Sequence, residues 1–238
     1  MALPQVNTPT YELAVPSTDK KLKYRPFLVK EEKILMIAME AKEQSGIIDA
    51  VKQIVESCTF NKFDVSKSPM FDVEYIFLNI RAKSIGEIST VNLRCPDDNE
   101  TFVETQIDLT KVEVQVNDDH TNKIELTEEM GMIMTYPTLD LFSSFDGITG
   151  VNATNMIDII ALCITQIYDK KGEDVFEAKD STKQELIDFV EQLNSKQFKD
   201  LQKFFDTMPK LTHTVKIENP KTKKKSEIVL SGLNDFFG

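Results

Sequence analysis

TYELAVPSTDKKLKYRPFLVKEEKILMIAME, residues 10–40, changes its period part-way along. TYELAVP (10–16) and LKYRPF (22–27) alternate apolar and polar residues on either side of a turn-rich cluster, STDKK. That is the pattern of a short β-hairpin. Pro26 closes it, because proline has no N–H to give to a ladder. From Glu31 to Met39 the apolar residues recur at spacings of three and four, the period of an amphipathic helix. A hairpin that hands over to helix, in separate blocks, points to an α+β chain.

Reading outward, helical spacing continues over Ile47–Val55, with Gly46 as the stop between two helices. It returns over Phe71–Ile85, where Phe71, Tyr75, Leu78 and Ala82 share a face and Gly86 ends the run. Residues 88–135 alternate again, through ISTVNLR, TFVETQIDL, KVEVQV, KIEL and MGMIMTY. Turn signals at Pro96–Asn99 and Asn117–Asp119 separate them, so a mid-chain antiparallel β unit is expected.

Helix resumes after Pro137. Thr138–Ser144 reads as one short turn, and Asn152–Ile167 as a helix with Met156, Ile159, Ile160, Cys163, Ile164 and Ile167 in its core stripe. Ser181 with Gln184 has the form of a capping box before TKQELIDFVEQL (182–193). Asn194 with Gln197 repeats that form before FKDLQKFF (198–205), and Pro209 marks the stop. LTHTVKI (211–217) and SEIVL (226–230) make a C-terminal hairpin about the turn NPKTKKK. Phe236 and Phe237 follow and are expected to dock on the body, since two exposed phenylalanines would leave much apolar area in water. The expected architecture is α+β: a helical body with an N-terminal β-hairpin, a mid-chain antiparallel β unit and a C-terminal β-hairpin. Its parts are read as 1–87, 88–136 and 137–238.

The 238 residues, 41% hydrophobic, suffice for one sizeable core or two small ones. Apolar stretches such as Ile34–Met39 are far below membrane-spanning length. MALPQVNTPTYEL lacks a basic region followed by an apolar one, so no signal peptide is read there. Cys58, Cys95 and Cys163 are odd in number and widely spaced, which favours a reducing compartment over a disulfide framework. The net charge of −11 argues against a protein that neutralises nucleic-acid phosphates. Between Asp97 and Glu129 the carboxylates far outnumber Lys111 and Lys123. That window is a solvated face or a docking surface for a basic partner.

No catalytic constellation stands out. His120 and His213 lie in no nucleophile motif. Cys95, in LRCPDDNETF, has the shape of a zinc-knuckle turn and is expected to expose its thiol. Asp97 and Asp98 stand where a second cysteine would follow, and a tetrahedral zinc needs four ligands. Asp97, Asn99 and Thr101 have the alternate spacing of a calcium loop, but Phe102 occupies the place of its glycine. No cofactor or metal is expected. Lys221, Lys223, Lys224 and Lys225 read as a solvated hairpin tip. A metal-dependent hydrolase using the acidic strands and a nucleic-acid binder using the lysine tip are the rival classes.

Three stretches together resemble the baseplate hub family of T4-like tailed phages. They are residues 10–40, with Arg25, Pro26, Phe27, Val29, Lys30, Glu31, Glu32 and Lys33; MTYPTLDLF (134–142); and FFDTMPKLTHTVKI with the ending LSGLNDFFG. Relatives with this pattern carry Cys-Pro-x-Cys turns in the mid-chain strands and the final hairpin. Here only Cys95 and Asn219-Pro220 occupy those turns. The resemblance implies a non-enzymatic hub component or hub assembly factor, working in the host cytoplasm or in the virion baseplate. Its partners would be other tail proteins, with no nucleic acid, and a transient assembly chaperone is the alternative. Arg25, Phe27, Lys30, Glu31, Glu32, Lys33, Phe236 and Phe237 are the candidate interaction residues.

Overall fold

The computed structural model describes residues 7–41, 44–143, 155–171 and 174–237. In chain order the first elements are β1 (Tyr11–Ala14), β2 (Lys21–Tyr24), α1 (Val29–Ala41), α2 (Gln44–Cys58) and α3 (Met70–Ser84). Next come β3 (Ile88–Arg94), β4 (Phe102–Asp108), β5 (Glu113–Gln115), β6 (Lys123–Glu125), β7 (Met130–Met134) and α4 (Leu139–Ser143). Then follow α5 (Met156–Leu162), β8 (Ile164–Asp169), β9 (Val175–Glu177), α6 (Lys183–Glu191) and α7 (Ser195–Thr207). β10 (Lys210–Glu218), β11 (Lys225–Ser231) and α8 (Leu233–Phe237) complete the described elements. The class is α+β, with the hairpin first and paired strands near the end.

The chain divides into two units, Met1–Gln115 with Lys210–Gly238, and Val116–Pro209. In the first, β1 and β2 pair from Tyr11↔Tyr24 to Ala14↔Lys21 and bury Leu13, Leu22 and Tyr24. The N–H of Ser17 in the hairpin turn donates to the Asp72 carboxylate at 2.9 Å, tying the turn to the start of α3. α3 is the axis of this unit. The expected stripe of Phe71, Leu78 and Ala82 is buried, and so are Val73, Ile76, Phe77, Ile80, Asp72 and Glu74 on the other sides. β3 and β4 form one antiparallel ribbon, while β10 sits between β11 and β5. Leu78, Val91, Ile107, Leu211, Val215, Leu230 and Phe236 share their core.

The second unit leaves β5 after Gln115 and returns at Lys210, which are register partners. Its sheet has the order β6-β7-β8-β9. Gly131 lies opposite Tyr168, and a Cβ there would run into the Tyr168 hydroxyl, so only glycine lets that ring cross the strand. Met132, Met134, Ile160, Cys163, Leu201 and Phe204 form a core separate from the first.

Several expectations change. Gly46 does not stop a helix; it lies inside α2, and beyond its chain neighbours and its own helix backbone nothing lies within 4 Å of where its Cβ would be. Of the run read as helix over 152–167, Met156–Leu162 is helix and Ile164 onward is β8, which carries Ile164 and Ile167 into the sheet. A short apolar run rich in isoleucine fits either period, and pairing with β7 decides it. Asn152, and Ser144 of the earlier turn, lie outside the described residues. The capping box of α6 is Thr182 with Glu185, one residue past the expected pair, while Asn194 with Gln197 caps α7 as read. The mid-chain strands are antiparallel throughout and distribute over three sheets.

Candidate interaction surface

β2 delivers Arg25 to the end of α2, where its N–H donates to Cys58 O at 3.0 Å. The guanidinium donates from Nη2 to Glu31 Oε1 at 2.8 Å and to Ser57 Oγ at 3.0 Å, and from Nη1 to Pro26 O at 2.9 Å. Glu31 Oε2 reaches back to accept the Leu28 N–H at 2.8 Å, satisfying a donor at the start of α1. Only 2% of Glu31 is exposed. Burial alone would raise its carboxyl. The hydrogen bonds from Arg25, Leu28 and Ser57, with the Arg25 charge, outweigh that and hold it at about 2. Phe27 is buried, and its N–H donates to Ser84 Oγ at 2.9 Å. Arg25, Phe27 and Glu31 therefore face inward and set the direction in which α1 leaves the hairpin.

The other side of α1 faces solvent. Glu31 and Ala38 are its buried residues, whereas Val29 is 80% exposed and Met36 and Ile37 are each 56% exposed. Leu28 and Met39 are exposed beside them. Lys30 and Lys33 are exposed, Glu32 is half-buried, and Lys30 Nζ lies 3.4 Å from Glu31 Oε1. Large apolar side chains gathered on one outward helical face are a feature of docking surfaces. Sequence reasoning picked the charged residues here and missed Met36, Ile37 and Met39. The available signal was ILMIAM, residues 34–39, which has more apolar positions than one buried stripe can use.

A family model described as T4 bacteriophage base plate protein matches residues 8–238. The chain belongs to that family. No curated protein and no solved structure matches it.

In this baseplate-family chain the remaining sequence candidates are spread over both units. Phe236 is fully buried, and its carbonyl accepts from Ser89 Oγ at 2.9 Å. The side chain of Phe237 lies outside the described residues. At the start of α8, the Glu74 carboxylate accepts the Leu233 N–H, and burial pushes it up to about 7. Gly232, at φ +74°, makes the turn possible; a Cβ there would stand 3.2 Å from Glu74 Oε1.

The turn after Cys95 and the turn of the final hairpin are joined by a polar clamp. Asn219 Nδ2 donates to Asp97 Oδ1 and to Asp98 Oδ2, each at 3.0 Å. Thr222 Oγ1 donates to Asp97 Oδ2 at 2.5 Å. Cys95 is fully buried in the first unit's core and is not the exposed thiol expected; burial first, then Asp97 and Asp98, raise it. Burial also raises Cys58 to about 11 and Cys163 to about 12. Among the described residues no group of three or more His, Cys, Asp or Glu is placed to hold a metal ion.

His120 is a packing residue. Its ring stacks on Tyr136 and tilts against Phe204. Thr207 Oγ1 donates to Lys203 O at 2.7 Å, so it accepts from His120 Nδ1 at 3.0 Å. That leaves Nε2 to accept from the Tyr136 hydroxyl at 3.1 Å. Burial lowers the imidazole, which favours this neutral form.

Proposed function

We propose that this baseplate-family protein is a component of the central tail hub, or a factor that assembles it. It acts through contacts with other tail proteins and without catalysis, in the host cytoplasm during assembly or in the virion baseplate. The observation that carries this reading is the family match over residues 8–238. The hub-like stretches at both ends support the finer assignment to the hub. In this reading α1 is the contact element. Val29, Lys30, Lys33, Met36, Ile37 and Met39 form its face, while Arg25, Phe27 and Glu31 hold it and Phe236 anchors the opposite end of the first unit's chain. Phage lacking the gene is expected to make no complete baseplates; normal tails would refute the proposal. Mass spectrometry of purified virions beside infected-cell lysate separates its two forms. Peptides in virions at a few copies per tail mark a hub subunit. Peptides abundant in lysate and missing from virions mark a chaperone that leaves before completion.

A further inference from the structure

Along its outward face α1 carries Val29, Lys33, Met36 with Ile37, and Glu40, in that order, and all five are exposed. At about 100° per residue these positions fall on the half of the helix opposite Glu31 and Ala38. Among these five the charge in the first half is Lys33, the centre is apolar and the charge in the second half is Glu40, with half-buried Glu32 off to one side of the line they form. Lys33 and Glu40 have no ion-pair partner among the described residues.

A face ordered in this way is complementary to itself when turned end for end. With a two-fold axis between Met36 and Ile37, position 33 meets position 40 and position 36 meets position 37. Lys33 then faces Glu40 of the partner subunit, and the same pair recurs on the other side of the axis. A parallel arrangement would set lysine on lysine and glutamate on glutamate. Two-fold contacts require such a self-complementary patch.

We infer that the outward face of α1 is the seat of an antiparallel homodimer contact, in which Met36 and Ile37 pack on their copies between two Lys33–Glu40 pairs. The inference rests on α1 being a docking face and names its occupant as a second copy; it does not depend on a hub role. Thirteen residues of helix cover about 20 Å. One such pair buries less than the roughly 800 Å² per partner of a standard interface. The dimer is therefore weak, on the order of tens of micromolar.

The test is sedimentation velocity of the full chain at low salt, from about 5 to about 500 µM. A shift from monomer to dimer is expected over that range. Ile37→Glu should abolish it, with circular dichroism unchanged because the residue lies outside the core. Lys33→Glu alone and Glu40→Lys alone should each weaken the dimer roughly tenfold, since each turns both attractive pairs repulsive. An equimolar mixture of those two variants should associate more tightly than either alone, because both cross-pairs become attractive again. The double variant should recover the dimer as well. A chain that stays monomeric throughout, a dimer indifferent to Ile37→Glu, or a mixture that does not recover association each overturns the inference. So does a monomeric chain whose α1 face binds a different tail protein. A monomer from a gene whose loss abolishes baseplates removes this inference and leaves the hub reading standing; a dimer from a gene whose loss leaves tails normal does the reverse.

Discussion

Glu74→Gln tests whether the carboxyl buried between α3 and the β11–α8 turn governs the pH response of the first unit. The Glu74 carboxyl, ordinarily at 4.5, is pushed up to about 7 by burial. Between those values the folded chain keeps a proton that the unfolded chain has lost. Its contribution to stability is therefore full below pH 4.5 and is lost as pH rises through about 7. At about 1.4 kcal/mol for each pH unit, the loss totals about 3 kcal/mol. Glutamine keeps an oxygen for the Leu233 N–H and never ionises. At pH 4.5 the variant should lie within about 1 kcal/mol of the parent. At pH 8 its advantage should have grown by about 3 kcal/mol. Urea unfolding at pH 4.5, 6 and 8, read by circular dichroism and extrapolated linearly, measures this difference. Other carboxylates titrate in the same range, but they cancel between parent and variant. Parallel stability–pH curves for the two proteins would show that Glu74 ionises freely in the folded chain and would refute the reasoning.

Arg25→Met should leave Glu31 buried without its counter-charge and cost about 3–5 kcal/mol in urea unfolding at pH 7. Because Glu31 is held at about 2, its contribution is present above about 4.5 and lost as pH falls towards 2. The variant should therefore lose less stability than the parent between those pH values; an equal loss would refute the pairing. Asn219→Ala should free the 95–101 turn and the 218–225 tip together, since Asn219 donates to Asp97 and Asp98 and its Oδ1 accepts the Lys221 N–H at 2.9 Å. Amide hydrogen exchange should quicken in both turns, and quickening in the hairpin tip alone would mean that the clamp does not couple them.

Local features were legible at the start because they depend on neighbouring residues. The alternation of Tyr11–Ala14 and Lys21–Tyr24, the Asn194–Gln197 box and the long C-terminal hairpin all use contacts within one segment of chain or between consecutive segments. Arg25 and Glu31 could be named as significant from their motif, but not that they turn inward. The exposed Met36 and Ile37 were hidden for the opposite reason. Apolar residues are normally assigned to a core, and only the placement of Glu31 and Ala38 against the body shows which side of α1 is left over. Glu74 was equally invisible, because α3 is enclosed on all sides and a single helical stripe cannot convey that.

By itself the sequence determined the period of most segments, hence their type, along with the Asn194–Gln197 cap and the acidic balance. Only the tertiary structure decided that β5 joins β10 across an entire second unit, that β8 leaves its helix to become a central strand, and that one carboxylate is sealed beside the C-terminal turn. The physical reason is that every unpaired strand offers the same backbone donors and acceptors. Its partner is chosen by which distant apolar faces can be buried together, and that choice is not written into any one stretch of chain.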